Sequence, residues 1–204
     1  YASPELKGIK AEFYDKDNTY TGTKIISTGI IYNTKMVQEK PASFMDLTKP
    51  EYKDSIIMPS PMYSGAAAYN IGVLTRTNGL GWEYFKALKD NGVRVDKGNG
   101  NILKAVVDGQ MKAGMVVDYM ALRSKAKGAA VDFVYPTEGS LIITEPVGIL
   151  KATQNAALAK KFVDFILSEE GQKTTAEIGY TPIKSGVKAP EGFKTVDELK
   201  NLTF

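Results

Sequence analysis

Short apolar runs alternate along this chain with segments in which apolar residues recur every three or four positions. Runs rich in β-branched residues are typical of strands. They predict strands or extended segments at residues 25–32, 55–58, 115–117, 131–135 and 141–150. The first of these runs, which contains Gly29, is interpreted as a strand or as a crossing between two lobes.

Between these runs the sequence has helical periodicity. It predicts helices after Ser64 and after Asn155, and at residues 81–91, 101–108, 120–127 and 168–178. The positions expected to face a core are Trp82, Phe85 and Leu88 in one helix, and Ala159, Phe162, Val163, Ile166 and Leu167 in another. Residues 195–198 form a capping box, which predicts a last short helix.

Alternating strands and helices favour an α/β fold with a largely parallel sheet. A chain of 204 residues can form one large or two small lobes of this kind.

Composition removes several classes of function. The 26 basic and 23 acidic residues give a net charge of only +3, without basic runs, so we expect no nucleic-acid partner. The chain contains no cysteine or histidine, which excludes Cys/His zinc sites and Ser-His or Cys-His nucleophile pairs within it. No Walker loop or dinucleotide fingerprint occurs, and the glycine-rich segment at residues 98–101 lacks both the later glycine of that fingerprint and a preceding strand.

The chain starts at Tyr1 and carries no signal peptide. We therefore expect that an N-terminal part of the protein precedes this sequence.

A series of motifs resembles periplasmic solute-binding proteins of the iron(III), phosphonate and sugar-phosphate type. The motifs are Tyr32-Asn33-Thr34-Lys35 and the segments 41–47, 55–65, 91–93, 117–119, 134–139, 159–172 and 179–183. None is unique by itself, but their combined order is specific and covers nearly the whole chain.

The resemblance implies a type II periplasmic-binding-protein-like fold, with two lobes, a ligand in the cleft between them, and a first lobe that is incomplete here. It divides the chain into a remnant of the N-terminal lobe (1–27), a second α/β lobe (28–135) and a return segment to the first lobe (136–182). The remaining residues, 183–204, are expected to form a tail helix that packs on the second lobe.

Ser64, Gly65 and Ala66 are the strongest ligand-binding candidates. Free N–H groups and the positive end of the dipole at a helix start bind phosphate or carboxylate groups, and glycine permits close approach. The alternative is that Ser64 only caps its own helix.

Asp118 and Tyr119 follow a buried strand, and ligands of open α/β sheets lie outside the carboxyl ends of strands. Asp118 would accept hydrogen bonds from amine or sugar donors. Tyr119 would donate to an anion or, as a phenolate, ligate ferric ion. The alternative roles are helix capping and core packing.

Iron-binding relatives usually carry two adjacent tyrosines, whereas Met120 occupies the second position here. A thioether is a poor ligand for Fe(III), which prefers oxygen. Iron binding through Tyr119 is therefore the alternative to an organic anion, and no other cofactor is expected.

Glu138 lies in the inferred return crossing and would accept hydrogen bonds from ligand hydroxyl or ammonium groups. Thr21 is a further cleft candidate. Ordinary turn positions are the alternatives for both.

The resemblance thus implies the substrate-binding component of an ABC importer, a monomer that captures a small anionic solute and docks on a membrane permease. Its place would be the periplasm or the outer face of the cytoplasmic membrane, with a lipoprotein anchor as one option. A ferric-iron receptor is the main alternative. A solute-sensing module, or an enzyme using Asp118 and Glu138, is more distant.

Overall fold

The computed structural model describes residues 1–200 and 202, and it separates into two compact units. Unit 1 comprises Tyr1–Ile26 and Ile143–Leu199; unit 2 comprises Ser27–Ile142 with Lys200 and Leu202. No helix among the described residues has the length and apolar character needed to cross a bilayer.

Unit 2 is built on a sheet with the strand order β3-β2-β4-β1-β5. The strands are β1 (Thr21–Asn33, in unit 2 from Ser27 onward), β2 (Ile56–Pro59), β3 (Arg94–Asp96), β4 (Ala113–Val117) and β5 (Val131–Val134). β2 is parallel to β3 and β4, but β1 is antiparallel to β4 and β5. The α/β class is confirmed, whereas the prediction of a largely parallel sheet is wrong, because β1 runs against both of its neighbours.

Four helices of unit 2 follow the strands closely. They are α1 (Gly65–Leu74), α2 (Gly81–Asp90), α3 (Asn99–Val107) and α4 (Asp118–Ala126). The apolar faces of α1 and α2 share a core with the sheet. This core includes Ile30, Phe44, Ile56, Leu74, Tyr84, Leu88 and Met115.

Trp82 does not join this core, as the sequence analysis had expected. Its side chain is 69% exposed, whereas Tyr84 and Leu88 are buried and Phe85 is partly buried. Tyr84 and Leu88 are four residues apart and therefore share one helix face. That face packs on the core and leaves Trp82 toward solvent.

Unit 1 contains β6 (Leu141–Val147, in this unit from Ile143), α5 (Ala156–Leu167) and α6 (Glu169–Glu177). β6 pairs with β1, and Thr23 Oγ1 donates a hydrogen bond to the Glu145 carbonyl at 2.9 Å. The Ser168 hydroxyl caps α6 by accepting from the Gly171 N–H at 3.1 Å.

The apolar stripe of α5 is only partly covered. Val163 and Leu167 are buried, but Leu158, Phe162 and Phe165 are 67%, 60% and 46% exposed. The expectation that Phe162 faces a core is therefore wrong in this structure, because only the Val163–Leu167 side of the stripe meets other residues of unit 1.

Two predicted segments belong to a different unit than expected. Residues 136–142 stay with unit 2, where the Ser140 N–H donates to the Lys200 carbonyl at 2.7 Å. Residues 183–199 stay with unit 1, whereas Lys200 and Leu202 of the same predicted tail belong to unit 2, and the packing of the tail on the second lobe stays a prediction. Two contacts hold the start of the tail in unit 1: the Ile183 N–H donates to Gln172 Oε1 at 2.8 Å, and the Lys184 ammonium binds the Glu5 carboxylate at 2.8 Å.

The predicted last helix is absent from the described residues of that tail. The Thr195 N–H does donate to the Glu198 carboxylate at 2.8 Å, as in a capping box. However, the chain forms a single turn there and does not continue as a helix. Residues 201, 203 and 204 of the predicted segment lie outside the described residues.

Candidate functional site

Three helices of unit 2 begin along one edge of its sheet. β2 and β4 are parallel neighbours, with Ile56 opposite Ala113, and Pro59 lies opposite Asp96 of parallel β3. The three strands therefore end at the same edge, and α1, α3 and α4 each start just beyond it. We call this the carboxyl edge of unit 2; ligands of open α/β sheets bind at such edges.

The start of α1 is organised by Ser64. Its hydroxyl accepts from the Ala67 N–H at 3.2 Å, and its carbonyl accepts from the Ala68 N–H at 3.0 Å. Within the described part of the chain, this leaves the N–H groups of Gly65 and Ala66 available to an external acceptor. Ser64 thus caps its helix without occupying the two amides that point out of it.

Gly65 faces open space. A Cβ built on it meets no atom within 4 Å, and its backbone has no positive φ. Neither local packing nor backbone conformation therefore requires glycine here, although glycine lowers helix stability relative to alanine. A ligand that approaches the backbone closely would explain the residue.

Asn99 joins the starts of α3 and α1. Its Nδ2 donates to Ser64 Oγ at 3.4 Å, and residues Gly98 and Gly100 beside it also face open space. The sequence analysis overlooked Asn99, since it considered this segment only as a dinucleotide fingerprint without a preceding strand. β3 precedes it after all, but with three residues it is too short for its pattern to show.

Asp118 lies at the start of α4 and is 1% exposed. Its Oδ1 accepts from the Ser27 N–H at 3.2 Å and the Tyr119 N–H at 2.8 Å, and its Oδ2 accepts from the Tyr135 hydroxyl at 3.4 Å. Burial raises the pKa of Asp118 to about 7, against the opposing effect of these hydrogen bonds. The side chain therefore ties β1 to α4, and the ligand contact predicted for it stays a prediction.

Two hydroxyls beside Asp118 are buried without hydrogen-bond partners among the described residues. They are Ser27 Oγ and Thr28 Oγ1, on residues that are 0% and 1% exposed. Thr28 lies opposite Val117, the last residue of β4, so both hydroxyls belong to the carboxyl edge. Buried polar groups are usually satisfied, and unpaired ones point to an unseen partner such as water or a ligand.

Tyr119 is half-buried at the same edge, and the guanidinium carbon of Arg123 lies 4.8 Å from the centroid of its ring. Among the described residues no group of three or more His, Cys, Asp or Glu side chains is arranged to hold a metal ion.

Glu138 is engaged elsewhere in unit 2. Its carboxylate accepts from the N–H groups of Phe44 and Met45 at 3.2 and 3.3 Å, at the start of the 3-10 turn Met45–Thr48. The carboxylate thus caps that turn, and a ligand contact of Glu138 stays a prediction.

Thr21 belongs to unit 1 and is 3% exposed. It forms an antiparallel bridge with Tyr14 and lines a pocket of about 10 Å³, room for about one water molecule. Thr21 is thus buried at the beginning of β1, and a ligand contact of this residue stays a prediction.

A larger cavity of about 360 Å³ lies away from these residues. It is lined by Met36, Val37, Gln38, Glu39, Glu51, Tyr52 and Lys112. Lys112 precedes β4, so this cavity is at the opposite end of that strand from the three helix starts. The carboxyl edge remains the candidate site because the available amides of Gly65 and Ala66, the Asn99 side chain and the unpaired hydroxyls all lie along it.

Comparison with protein families finds a match over residues 1–203 to the model described as bacterial extracellular solute-binding protein. A Salmonella typhimurium protein named for binding 2-aminoethylphosphonate in the periplasm is 24% identical over 185 residues, which are 85% of this chain and 54% of that protein. An Fe(3+)-binding periplasmic protein of Serratia marcescens is 26% identical over 210 residues, which are 97% of this chain and 60% of the relative.

Solved structures agree with this match. The periplasmic binding protein AfuA from Actinobacillus pleuropneumoniae, with fructose-6-phosphate bound, has a TM-score of 0.84 and 27% identity, covering 98% of this chain and 67% of AfuA. Iron-bound HitA from Pseudomonas aeruginosa has a TM-score of 0.80 and 25% identity, covering 98% and 69%. The chain spans a little over half the length of the curated relatives it matches.

Proposed function

The chain belongs to the bacterial extracellular solute-binding protein family, and from this premise we propose that it binds a small anionic solute of phosphonate or sugar-phosphate type at the carboxyl edge of unit 2. In this proposal it acts as the substrate-binding component of an ABC importer. It works outside the cytoplasmic membrane, in the periplasm or on the outer membrane face, and delivers the solute to a permease.

The observation that carries the anion proposal is the open start of α1. The N–H groups of Gly65 and Ala66 are available within the described part of the chain, and space in front of Gly65 admits a ligand. Two aligned N–H groups and the positive end of the helix dipole favour negative charge. Because these donors are neutral, they hold an anion and still release it, as transport requires.

The names of the relatives support the same class of solute. One is named for 2-aminoethylphosphonate, and AfuA holds fructose-6-phosphate. Both molecules combine a phosphorus-centred anion with an amine or hydroxyl groups. In our proposal the anion binds at α1, and Tyr119 and Thr28, whose side chain shares a face of β1 with Ile30, supply hydrogen bonds to the rest of the solute.

Binding, not catalysis, is the proposed activity. An acid/base pair requires two carboxyl groups within reach of one substrate. Asp118 is buried under three donors, and Glu138 caps a turn through both oxygens. The arrangement therefore supports no such pair, and the relatives are named as binding proteins.

Ferric iron is the second candidate solute, because the Tyr119 phenol lies at the carboxyl edge and some relatives are named for iron. Met120 follows it where a second phenolate would stand, and the Arg123 guanidinium beside the ring disfavours another cation. We therefore rank iron below the organic anions.

Thermal unfolding with added ligands tests the proposal. The chain is heated alone and with 2-aminoethylphosphonate, fructose 6-phosphate, ferric citrate or an amino acid. A ligand present at about 100 times its Kd stabilises the folded state by about 2.7 kcal/mol. We expect such stabilisation from a phosphonate or sugar phosphate. Stabilisation by ferric citrate alone would reverse the ranking.

A further inference from the structure

Lys97 lies beside the start of α1, although it belongs to the loop between β3 and α3. It follows Asp96, the last residue of β3, which pairs with Pro59 at the end of β2. Its Nζ lies 5.9 Å from the centroid of the Tyr63 ring, and Tyr63 immediately precedes the cap residue Ser64. The Asn99–Ser64 hydrogen bond at 3.4 Å holds the same two loops together.

The charges around Lys97 leave its ammonium uncommitted. Asp96 forms its salt bridge with Arg94 at 2.7 Å and accepts from the backbone N–H of Lys97 and from Asn101 Nδ2. No carboxylate of the described residues forms a salt bridge with the Lys97 ammonium, whose recorded partner is the Tyr63 ring. Asp96 still places a negative charge close by, which partly offsets the positive charge of Lys97.

The Tyr63 ring restricts where that ammonium can be. Tyr63 is 69% exposed, so it contributes little to the core, yet its face attracts a cation. A long, flexible lysine side chain held over this ring stays at the rim of the α1 start. An exposed aromatic side chain next to a helix cap, with no packing role, is otherwise unexplained.

We propose that Lys97 is a specificity-determining residue that makes the α1 site prefer a dianionic phosphonate or phosphate group to a carboxylate. The inference rests on the proposed function. The amides of Gly65 and Ala66 attract any anion, whereas one full positive charge at the rim attracts a dianion more strongly than a monoanion. Tyr63 acts as a positioning residue for the ammonium.

The experiment compares 2-aminoethylphosphonate with β-alanine, its carboxylate analogue, by calorimetric titration near pH 8. The variants are Lys97→Gln, Lys97→Arg and Tyr63→Leu, and the control is Lys89→Gln. Lys89 is an exposed lysine of α2 without a recorded ion pair, so its replacement changes the net charge equally. Melting temperatures of the unliganded variants establish that all of them fold.

We expect Lys97→Gln to weaken phosphonate binding about tenfold and β-alanine binding only about threefold, because the Coulomb energy of a monoanion is half that of a dianion. Lys97→Arg restores the phosphonate affinity, Tyr63→Leu gives a smaller loss, and Lys89→Gln leaves both affinities nearly unchanged. Added salt weakens phosphonate binding more in the wild type than in Lys97→Gln.

Two outcomes would overturn the inference in different ways. If the wild type binds the phosphonate and Lys97→Gln behaves like Lys89→Gln, or loses both ligands equally, Lys97 does not determine specificity and the proposed function stands. If the wild type binds neither 2-aminoethylphosphonate nor fructose 6-phosphate, the anion-binding function fails and the role of Lys97 fails with it.

Discussion

Different kinds of interaction stabilise the interior of unit 2 and the interior of unit 1. Unit 2 has a continuous apolar core, in which side chains such as Ile30, Leu74 and Leu88 are 1% exposed or less. In unit 1 a buried amide takes a central place: Gln172 is 0% exposed and donates to the carbonyls of Thr23 and Ile166 at 2.8 and 2.9 Å. Its Oε1 accepts from the Ile183 N–H at 2.8 Å.

Lys184 repeats this pattern in unit 1. Its ammonium donates to the carbonyls of Glu5, Lys7 and Leu167 as well as to the Glu5 carboxylate. Meanwhile α5 leaves Leu158 and two phenylalanines exposed. This difference indicates that buried apolar side chains stabilise unit 2. Unit 1, in this chain, depends more on a few polar side chains whose hydrogen-bonding groups all have partners.

Replacing Gln172 by leucine should have the largest effect. The substitution leaves two buried carbonyls and one N–H without partners, and each such group costs about 1–3 kcal/mol. We expect the free energy of unfolding to fall by about 4 kcal/mol in urea titrations. Gln154→Leu, at an exposed position of the same unit, is the control and should change it by less than about 0.5 kcal/mol. If both substitutions lower the free energy of unfolding equally, the buried hydrogen bonds of Gln172 do not stabilise unit 1.

A matched pair of aliphatic truncations tests the apolar side. Ile102 in α3 of unit 2 is 0% exposed, whereas Leu158 in α5 of unit 1 is 67% exposed. We expect Ile102→Ala to lower the free energy of unfolding by about 3 kcal/mol because it opens a cavity, and Leu158→Ala by less than about 0.5 kcal/mol. A large loss from Leu158→Ala would show that the α5 stripe is covered in solution.

Asp118→Asn tests whether the carboxyl group at the carboxyl edge of unit 2 is buried in the folded state. Burial raises the folded-state pKa of Asp118 to about 7 from the ordinary aspartate value of 3.8, so the folded state binds a proton that the unfolded state has released. The stability is therefore full below about pH 4 and falls as the pH rises toward 7. Asparagine mimics the protonated form. We expect the variant to be more stable than the wild type at pH 8, by about 2 kcal/mol, and to lose this advantage near pH 4.

Parallel melting curves from pH 4 to pH 8 measure this difference. If the two proteins show the same pH dependence, the carboxyl group is solvated in the folded state. The ligand contact predicted for Asp118 would then regain support.

The smallest effect on stability is expected from Gly65→Ala, which should stabilise the folded state slightly. Alanine at this open helix position should raise the stability of the unliganded protein by up to about 1 kcal/mol. It should also weaken phosphonate binding, because a methyl group then stands where the ligand approaches. Gly72→Ala in the same helix, where a Cβ makes only an ordinary contact with Arg76, should stabilise without affecting the ligand.

Local signals in the sequence predicted much of the fold and part of the candidate site. The Ser64 cap was predictable because it depends on residues 64–67, which a proline-rich turn sets apart. The buried strand before it was equally clear, since β2 is a short apolar run between turns. The start of α1 and α4 at one edge of the sheet also followed from the rule for strand ends, whereas the antiparallel placement of β1 did not.

The contacts that the sequence did not show depend on distant residues. Asp118 meets the Ser27 N–H across 91 positions, so no local pattern could show that it is buried and bonded. Glu138 likewise binds Phe44 and Met45, more than 90 positions away. Phe162 was misplaced because periodicity gives the apolar face of a helix but not the element that covers it.

The most direct test of the central claim is an amide NMR titration of the chain with 2-aminoethylphosphonate, or with fructose 6-phosphate if that ligand stabilises more. If the start of α1 binds the anion, the amide resonances of Gly65 and Ala66 move downfield and saturate with the same Kd as in calorimetry. If both resonances stay in place while a saturating ligand shifts signals elsewhere, such as around the cavity near Lys112, the anion site is not at the carboxyl edge of unit 2.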